Sequence, residues 1–177
     1  VYKVSNLLKK CPIASETPLV ELEDFLPHGT LWVKDERGRM GLGSFKALGA
    51  AYVIASHAQD LDENPCSTTL EGKTYVTASA GNHGLSLAAG AKIFGAKAVV
   101  FISETVPESF SDRLREKGAV PVRKGIDYAA SMSAALKAAE ENDWILLSDS
   151  SWKDYIDQPL KLMEGYLQMA DEAMNQS

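Results

Sequence analysis

The chain has 177 residues and a formal net charge of −6, and its shares of hydrophobic (45%) and charged (24%) residues are those of an ordinary globular protein. The acidic balance and the lack of a Lys/Arg cluster argue against a nucleic-acid partner. The longest apolar run, residues 47–55, is far shorter than the roughly 20 residues of a membrane-spanning helix.

Cysteine usage favours a reducing compartment. Cys11 and Cys66 are too few for a disulfide framework, and no His or Cys pair has the spacing of a metal site. We therefore expect two reduced thiols in a cytoplasmic protein with no bound metal.

Short β-like runs alternate with longer helical patterns along the chain. The predicted strands are residues 31–33, 75–77, 98–102, 119–122 and 144–147. The predicted helices are residues 44–59, 83–94, 107–117, 128–141 and 160–174. Strand and helix in regular alternation predict an α/β fold with an open, mostly parallel sheet and helices on both faces.

Ligands of such sheets bind in the loops beyond the carboxyl ends of the strands. Three loops at these places have unusual sequences, namely residues 41–46, 78–84 and 148–152. We therefore expect the functional site to lie where these three loops meet.

Lys46 stands out in the first of these loops. It follows Ser44, which can cap the predicted helix, and it is flanked by apolar residues. Burial and the positive end of the helix dipole both disfavour the ammonium form, so the pattern predicts a neutral amine able to form a Schiff base. The alternative is a surface lysine at the start of a helix.

The second loop, residues 79–84, reads Ser-Ala-Gly-Asn-His-Gly and joins a strand to a helix. Its backbone N–H groups can converge on an anion, and its two glycines allow a ligand to come close to the backbone. Ser79 adds a hydroxyl and Asn82 adds an amide. The alternative is a tight turn capped by Asn82.

Together, the Ser-Phe-Lys motif at 44–46 and the loop at 79–84 resemble the signature motifs of fold type II (β-family) pyridoxal-phosphate enzymes. The resemblance implies pyridoxal 5′-phosphate as the cofactor and Lys46 as the Schiff-base lysine and main proton carrier. It also implies that Phe45 packs beside the cofactor ring and that Asn82 bonds the cofactor's 3′-oxygen. The substrate-binding positions that it implies are Ser79, Ala80, Gly81 and His83.

Within this family the chain resembles the diaminopropionate ammonia-lyases over nearly its whole length. The matching segments are residues 17–19, 33–36, 39–46, 149–155, 164–166 and 171–173. The resemblance implies a lyase that removes the β-amino group of 2,3-diaminopropionate to give pyruvate and ammonia. Asp149 would contact the substrate's second amino group; alternatively, it is an acid at a strand end that bonds local backbone.

Ala80 departs from the ammonia-lyase pattern, which has an aspartate directly before the Gly-Asn-His of this loop. A methyl group cannot accept a proton, so we expect an enzyme specific for the L isomer with Lys46 as the only base at the α-carbon. Threonine dehydratases also have alanine there, so an L-threonine/L-serine dehydratase remains an alternative. A non-catalytic α/β binding module or an inactive N-terminal fragment is another.

The family's enzymes continue with a second half that holds the cofactor phosphate, and no glycine-rich loop of that kind follows Val122. The chain is therefore expected to be an N-terminal half, inactive alone and a homodimer when full length. We expect residues 1–75 to belong to a larger domain with Lys46, 76–155 to form a smaller α/β domain, and 156–177 to lead back to the second half.

Overall fold

The computed structural model describes residues 2–177. The helices are α1 (Tyr2–Leu8), α2 (Ala50–Leu61), α3 (Asn82–Ile93), α4 (Glu108–Glu116), α5 (Tyr128–Asn142) and α6 (Asp157–Gln176). The strands are β1 (Leu19–Leu22), β2 (Leu31–Lys34), β3 (Thr74–Ala78), β4 (Lys97–Ile102), β5 (Val120–Arg123) and β6 (Ile145–Leu146). Two 3₁₀ segments, Glu36–Gly41 and Phe45–Leu48, lie between β2 and α2.

Four strands form a parallel sheet in the order β5-β4-β3-β6. Thr74 pairs with Lys97 and Ala78 with Phe101 across its central pair of strands. Both edge strands of the sheet are poor partners for a further strand, because β5 contains Pro121 and β6 has only two residues. The predicted α/β fold with a parallel sheet is confirmed.

The strand predicted at 31–33 lies outside this parallel sheet. As β2 it pairs antiparallel with β1, from Leu19↔Lys34 to Leu22↔Leu31, in a separate two-stranded sheet. Placing it in the main sheet was wrong, because β1 supplies a hairpin partner close upstream in the chain and an antiparallel pair needs only a short connection.

Side chains of the two central strands alternate between two apolar layers, as the period of a strand requires. Tyr75 and Val100 belong to the layer packed against α2, α3 and α4, whereas Val76 and Phe101 belong to the layer packed against α5. The sheet is therefore covered by helices on both faces.

The first apolar layer extends from Val4 to Leu162, so it draws on all three regions that the sequence analysis separates. The division into domains at residues 75 and 155 stays a prediction. No helix among residues 2–177 is both long and apolar enough to cross a bilayer.

The helix predicted over residues 44–59 is broken. Phe45–Leu48 forms a 3₁₀ turn, and α2 begins only after Gly49, whose ψ of −87° is not helical. The break accommodates α6, because a side chain at Gly165 would overlap the carbonyl oxygen of Leu48. A long-range packing requirement therefore interrupts a locally continuous helical pattern.

A buried ionic network ties the first 3₁₀ segment to α6. The Arg39 guanidinium donates to both carboxylate oxygens of Glu172, at 2.8 and 2.6 Å, and both residues are at most 3% exposed. Glu36 and Thr17 accept further bonds from Arg39, and Lys34 donates a third charged contact to Glu172 at 2.9 Å. Well-placed hydrogen bonds of this kind are what make a buried ion pair tolerable.

Candidate active site

The candidate site lies at the carboxyl end of the parallel sheet. Strands β3 and β6 are neighbours, so the loops that follow them, residues 79–82 and 147–152, emerge side by side. The segment with Lys46 is added differently, by packing of the Phe45–Leu48 turn against α3 and α6. The three loops predicted to meet do meet, although only two of them follow strands of the sheet.

Lys46 and Asp149 form an ion pair across 103 residues of sequence. The Lys46 Nζ lies 3.0 Å from the Asp149 Oδ2, and the two side chains are 28% and 25% exposed. The side chain of Lys46 is therefore partly buried, and solvent can still reach it. Asp149 bonds the lysine of the first motif, so it belongs to the same site as that motif.

The ion pair with Asp149 keeps Lys46 in its charged form. Burial lowers the pKa of Lys46, but the hydrogen bond from its amine to Asp149 and the nearby Tyr166 and Asp149 groups raise it above its ordinary value. The prediction of a neutral amine is wrong for this structure, because its acidic partner outweighs burial. A four-residue 3₁₀ turn also has little dipole to oppose the charge.

Asp149 is held in its ionised form. Burial raises the pKa of Asp149, but the neighbouring His83 and the hydrogen bond and charge of Lys46 lower it by more, so the pKa lies below the ordinary value. At neutral pH, where His83 is uncharged, Lys46 is the cation that favours the carboxylate. At neutral pH the site therefore contains an ammonium and a carboxylate in contact.

Two aromatic rings border the lysine. Phe45 and Tyr166 meet edge to face with ring centroids 5.0 Å apart, and the Lys46 Nζ lies 5.4 and 5.3 Å from them. The expectation that Phe45 packs beside a cofactor ring stays a prediction. Tyr166 was given no role from sequence, although its segment, residues 164–166, is one of those that match the ammonia-lyases. Only the folding of the chain brings this residue of α6 to Lys46.

Ser79 shapes the loop that follows β3. Its buried hydroxyl oxygen accepts hydrogen bonds from the backbone N–H groups of Gly81, at 3.2 Å, and Gly84, at 3.1 Å. These bonds fold residues 79–84 into a tight turn at the start of α3. The hydroxyl oxygen of Ser79 thus accepts bonds from the loop's own backbone. Its contact with a substrate stays a prediction.

The tip of this loop is open. Ala80 is exposed, and a side chain added at Gly81 would meet nothing within 4 Å. Gly81 precedes α3 without a side-chain cap, so the first N–H groups of the helix, on Asn82 and His83, have no partner inside it. An uncapped helix start is suited to an anion.

His83 is buried below the loop at 3% exposure. Its Nε2 lies 2.8 Å from the carbonyl oxygen of Leu147, which identifies Nε2 as the protonated nitrogen and links the two loops. Burial lowers the pKa of His83, so the ring is neutral, and its Nδ1 is a buried acceptor with no partner among the described residues.

Comparisons with known proteins match the chain to one enzyme family. The profile of the pyridoxal-phosphate dependent enzyme family matches residues 12–177. Diaminopropionate ammonia-lyase of Salmonella typhimurium is 30% identical over 191 residues, covering 99% of this chain and 47% of that protein. A catabolic L-threonine dehydratase of Staphylococcus aureus is 29% identical over 134 residues, covering 74% of this chain and 36% of that protein.

The fold matches as well. The crystal structure of holo diaminopropionate ammonia-lyase from Escherichia coli superposes with a TM-score of 0.91 at 29% identity, covering 99% of this chain and 48% of that one. The chain therefore spans about half the length of the ammonia-lyases it matches.

Proposed function

Because the chain belongs to the family of pyridoxal-phosphate dependent enzymes, we propose that the protein is a lyase that removes the β-amino group of L-2,3-diaminopropionate. The products would be pyruvate and ammonia. The observation that carries the proposal is the contact of Lys46 with Asp149 beside the uncapped start of α3.

The residues present fit the family's cofactor, pyridoxal 5′-phosphate. Lys46 offers an amine that solvent can reach, and Phe45 and Tyr166 offer apolar ring surface next to it. Asn82, half-buried at the start of α3, would bond the cofactor's 3′-oxygen. When bound, the cofactor supplies an electron sink for negative charge at the substrate's α-carbon.

Lys46 would hold the cofactor covalently and, once released, remove the proton from the α-carbon. Both roles need the neutral amine, so the Lys46 ammonium must first release a proton to the solvent that reaches it. Asp149 would then be free to bind the cationic β-amino group of the substrate, which takes the place of the Lys46 ammonium as its partner.

The substrate carboxylate would bind at the start of α3. The N–H groups of Asn82 and His83 are available there, and Gly81 leaves the approach open. Ser79 would act by keeping this turn folded, through its bonds to Gly81 and Gly84.

The proposed function is tested with the full-length protein. We expect pyruvate from L-2,3-diaminopropionate, and none from a Lys46→Ala variant that binds the same substrate. Absence of pyruvate from the unmodified protein with cofactor present would support the alternative, a non-catalytic binding module.

Stereospecificity would follow from Ala80. The position is exposed at the open tip of the loop and has no group that can accept a proton, so the D isomer would find no base. We expect turnover of L- but not D-2,3-diaminopropionate, and measurable turnover of the D isomer after Ala80→Asp. Substantial D-isomer turnover by the unmodified protein would contradict L specificity.

A second candidate is an L-threonine/L-serine dehydratase, which the similarity to L-threonine dehydratase supports. Asp149 favours the ammonia-lyase, because a carboxylate suits a cationic amino group better than a neutral hydroxyl. Comparing pyruvate formed from L-2,3-diaminopropionate with 2-oxobutyrate formed from L-threonine distinguishes the two. We further propose that the enzyme acts in the cytoplasm, as a homodimer.

A further inference from the structure

Tyr166 contacts the proposed catalytic lysine from the last helix. The Lys46 Nζ lies 5.3 Å from the centroid of its ring, within the range of a cation–π interaction. Phe45 meets the same ring edge to face and places its own ring 5.4 Å from the nitrogen. The ammonium of Lys46 is therefore bordered by two rings as well as by Asp149.

The hydroxyl of Tyr166 is unpaired in the described part of the chain. Its oxygen is also buried. A buried, unpaired hydroxyl is unfavourable, and a phenylalanine would fill the same space without that cost. A polar group kept in such a place beside Lys46 points to a role at the site.

Two glycines allow this contact. A side chain at Gly49 would come within 2.6 Å of the Tyr166 hydroxyl, and one at Gly165 would overlap the carbonyl oxygen of Leu48. Both lie where α6 crosses the turn that carries Lys46. The close approach of Tyr166 thus depends on the absence of two side chains.

We propose that Tyr166 is a positioning residue that holds the amine of Lys46 in place through its ring and its unpaired hydroxyl. The inference rests on the proposed function of Lys46. When the substrate's β-amino group occupies Asp149, Lys46 loses its acidic partner, and the Tyr166 hydroxyl is the group left to hold the displaced amine. The titratable groups facing Lys46 are Asp149 after β6, His83 on α3 and Tyr166 on α6.

The test removes the hydroxyl and the ring separately in the full-length protein, with Tyr166→Phe and Tyr166→Leu. Tyr52→Phe is the matched control, since it also removes a tyrosine hydroxyl that lies against α6, 3.3 Å from Glu164. The first readout needs no cofactor: acylation of Lys46 by acetic anhydride is followed against pH by mass spectrometry, with the exposed Lys137 as internal reference.

Both substitutions are expected to move the pH midpoint of Lys46 acylation downward, because each removes a group that favours the charged amine. At a fixed pH below the midpoint, the loss of the ring should raise the neutral fraction about two- to fivefold. Tyr52→Phe should leave the midpoint where it is. Identical midpoints in all variants would overturn the proposal, whether or not the protein proves to be a lyase.

The second readout is turnover by the holoenzyme. We expect Tyr166→Leu to lower kcat about tenfold with KM within about twofold, and Tyr166→Phe to give an intermediate kcat, because it keeps the ring but lacks the hydroxyl that holds the displaced amine. Gly49→Ala, at an ordinary φ of −87°, should imitate Tyr166→Leu by displacing the ring, and should add nothing in the Tyr166→Leu background. Unchanged kcat in Tyr166→Leu would contradict the assignment.

Discussion

Among the ion pairs of residues 2–177 that join the first 50 residues to later parts of the chain, Arg39–Glu172 and Lys46–Asp149 differ in almost every physical respect. Arg39 and Glu172 are at most 3% exposed, meet through two hydrogen bonds and are surrounded by further partners. Lys46 and Asp149 are a quarter exposed and meet through a single contact.

The difference separates a pair that stabilises the fold from a pair that fits the proposed reaction. The Arg39–Glu172 network satisfies its charges and leaves nothing for a ligand, so it fixes α6 against the 3₁₀ segments. The Lys46–Asp149 pair is reachable and has unsatisfied polar atoms nearby, on His83 and Tyr166. An ion pair that can be opened by a cationic substrate needs this incomplete satisfaction.

Replacing Lys46 should produce the largest effect and should separate activity from stability. Lys46→Ala is expected to lower turnover by the full-length enzyme about 10⁴-fold or more, since it removes the covalent link and the base together. The free energy of unfolding should change by no more than about 1 kcal/mol, because the pair is partly solvated. Steady-state kinetics and denaturant titration measure the two quantities, and a large loss of stability would place Lys46 among the structural residues.

Replacing Glu172 should give the opposite result. Glu172→Gln removes one of the two carboxylates that neutralise the buried Arg39, and Glu36 remains, so the free energy of unfolding should fall by about 3 kcal/mol, the low end for a broken buried ion pair. Denaturant titration of this variant beside Glu164→Gln, an exposed acid on the same helix, measures the difference. If both variants were equally stable, the network would not be the element that secures α6.

Acid should weaken the buried pair over a defined range. Burial raises the pKa of Glu172, but Arg39, Lys34 and Gln168 lower it more, to about 2 from the ordinary 4.5. The folded-state pKa is depressed, so the stabilisation is complete above pH 4.5 and is lost as pH falls toward 2, by about 3 kcal/mol in total. The unfolding free energies of the unmodified protein and Glu172→Gln should converge across this range, and parallel curves would contradict the assignment.

The smallest effect is expected from Asp149→Asn. Loss of this carboxylate should change the free energy of unfolding by less than about 1 kcal/mol. It should also move the pH midpoint of Lys46 acylation downward, because Asp149 raises the pKa of Lys46. An unchanged midpoint would show that Asp149 does not set the charge of the lysine.

Local pattern was sufficient for the sheet and most helices, because their apolar periodicity and stop signals lie within each element. Contiguous motifs singled out Lys46 and Asn82, and the resemblance to the ammonia-lyases singled out Asp149. The structure brings Lys46 and Asp149 into contact, and the roles of all three residues stay predictions. The hairpin β1–β2 was missed because β1 is a short strand with exposed faces, and such strands have little periodic signal.

Local sequence pattern could not predict the effects of residues that are distant in sequence but close in the fold. The charge of Lys46 depends on Asp149, 103 residues away, and the break at Gly49 depends on α6. The burial of Arg39 depends on Glu172, 133 residues away. In each case the isolated segment favours a different outcome, and only packing reverses it.

The two edge strands of the parallel sheet, β5 and β6, affect the tendency of the chain to aggregate while it folds. An open strand edge is a template for aggregation, because its free N–H and C=O groups can recruit another molecule. Pro121 removes one backbone N–H donor from β5, and the two residues of β6 are too few to pair with another strand in a fixed register. Newly synthesised molecules should therefore resist edge-to-edge pairing into fibrils. The loops at the carboxyl end of the sheet can then stay open to a ligand without adding a risk of aggregation.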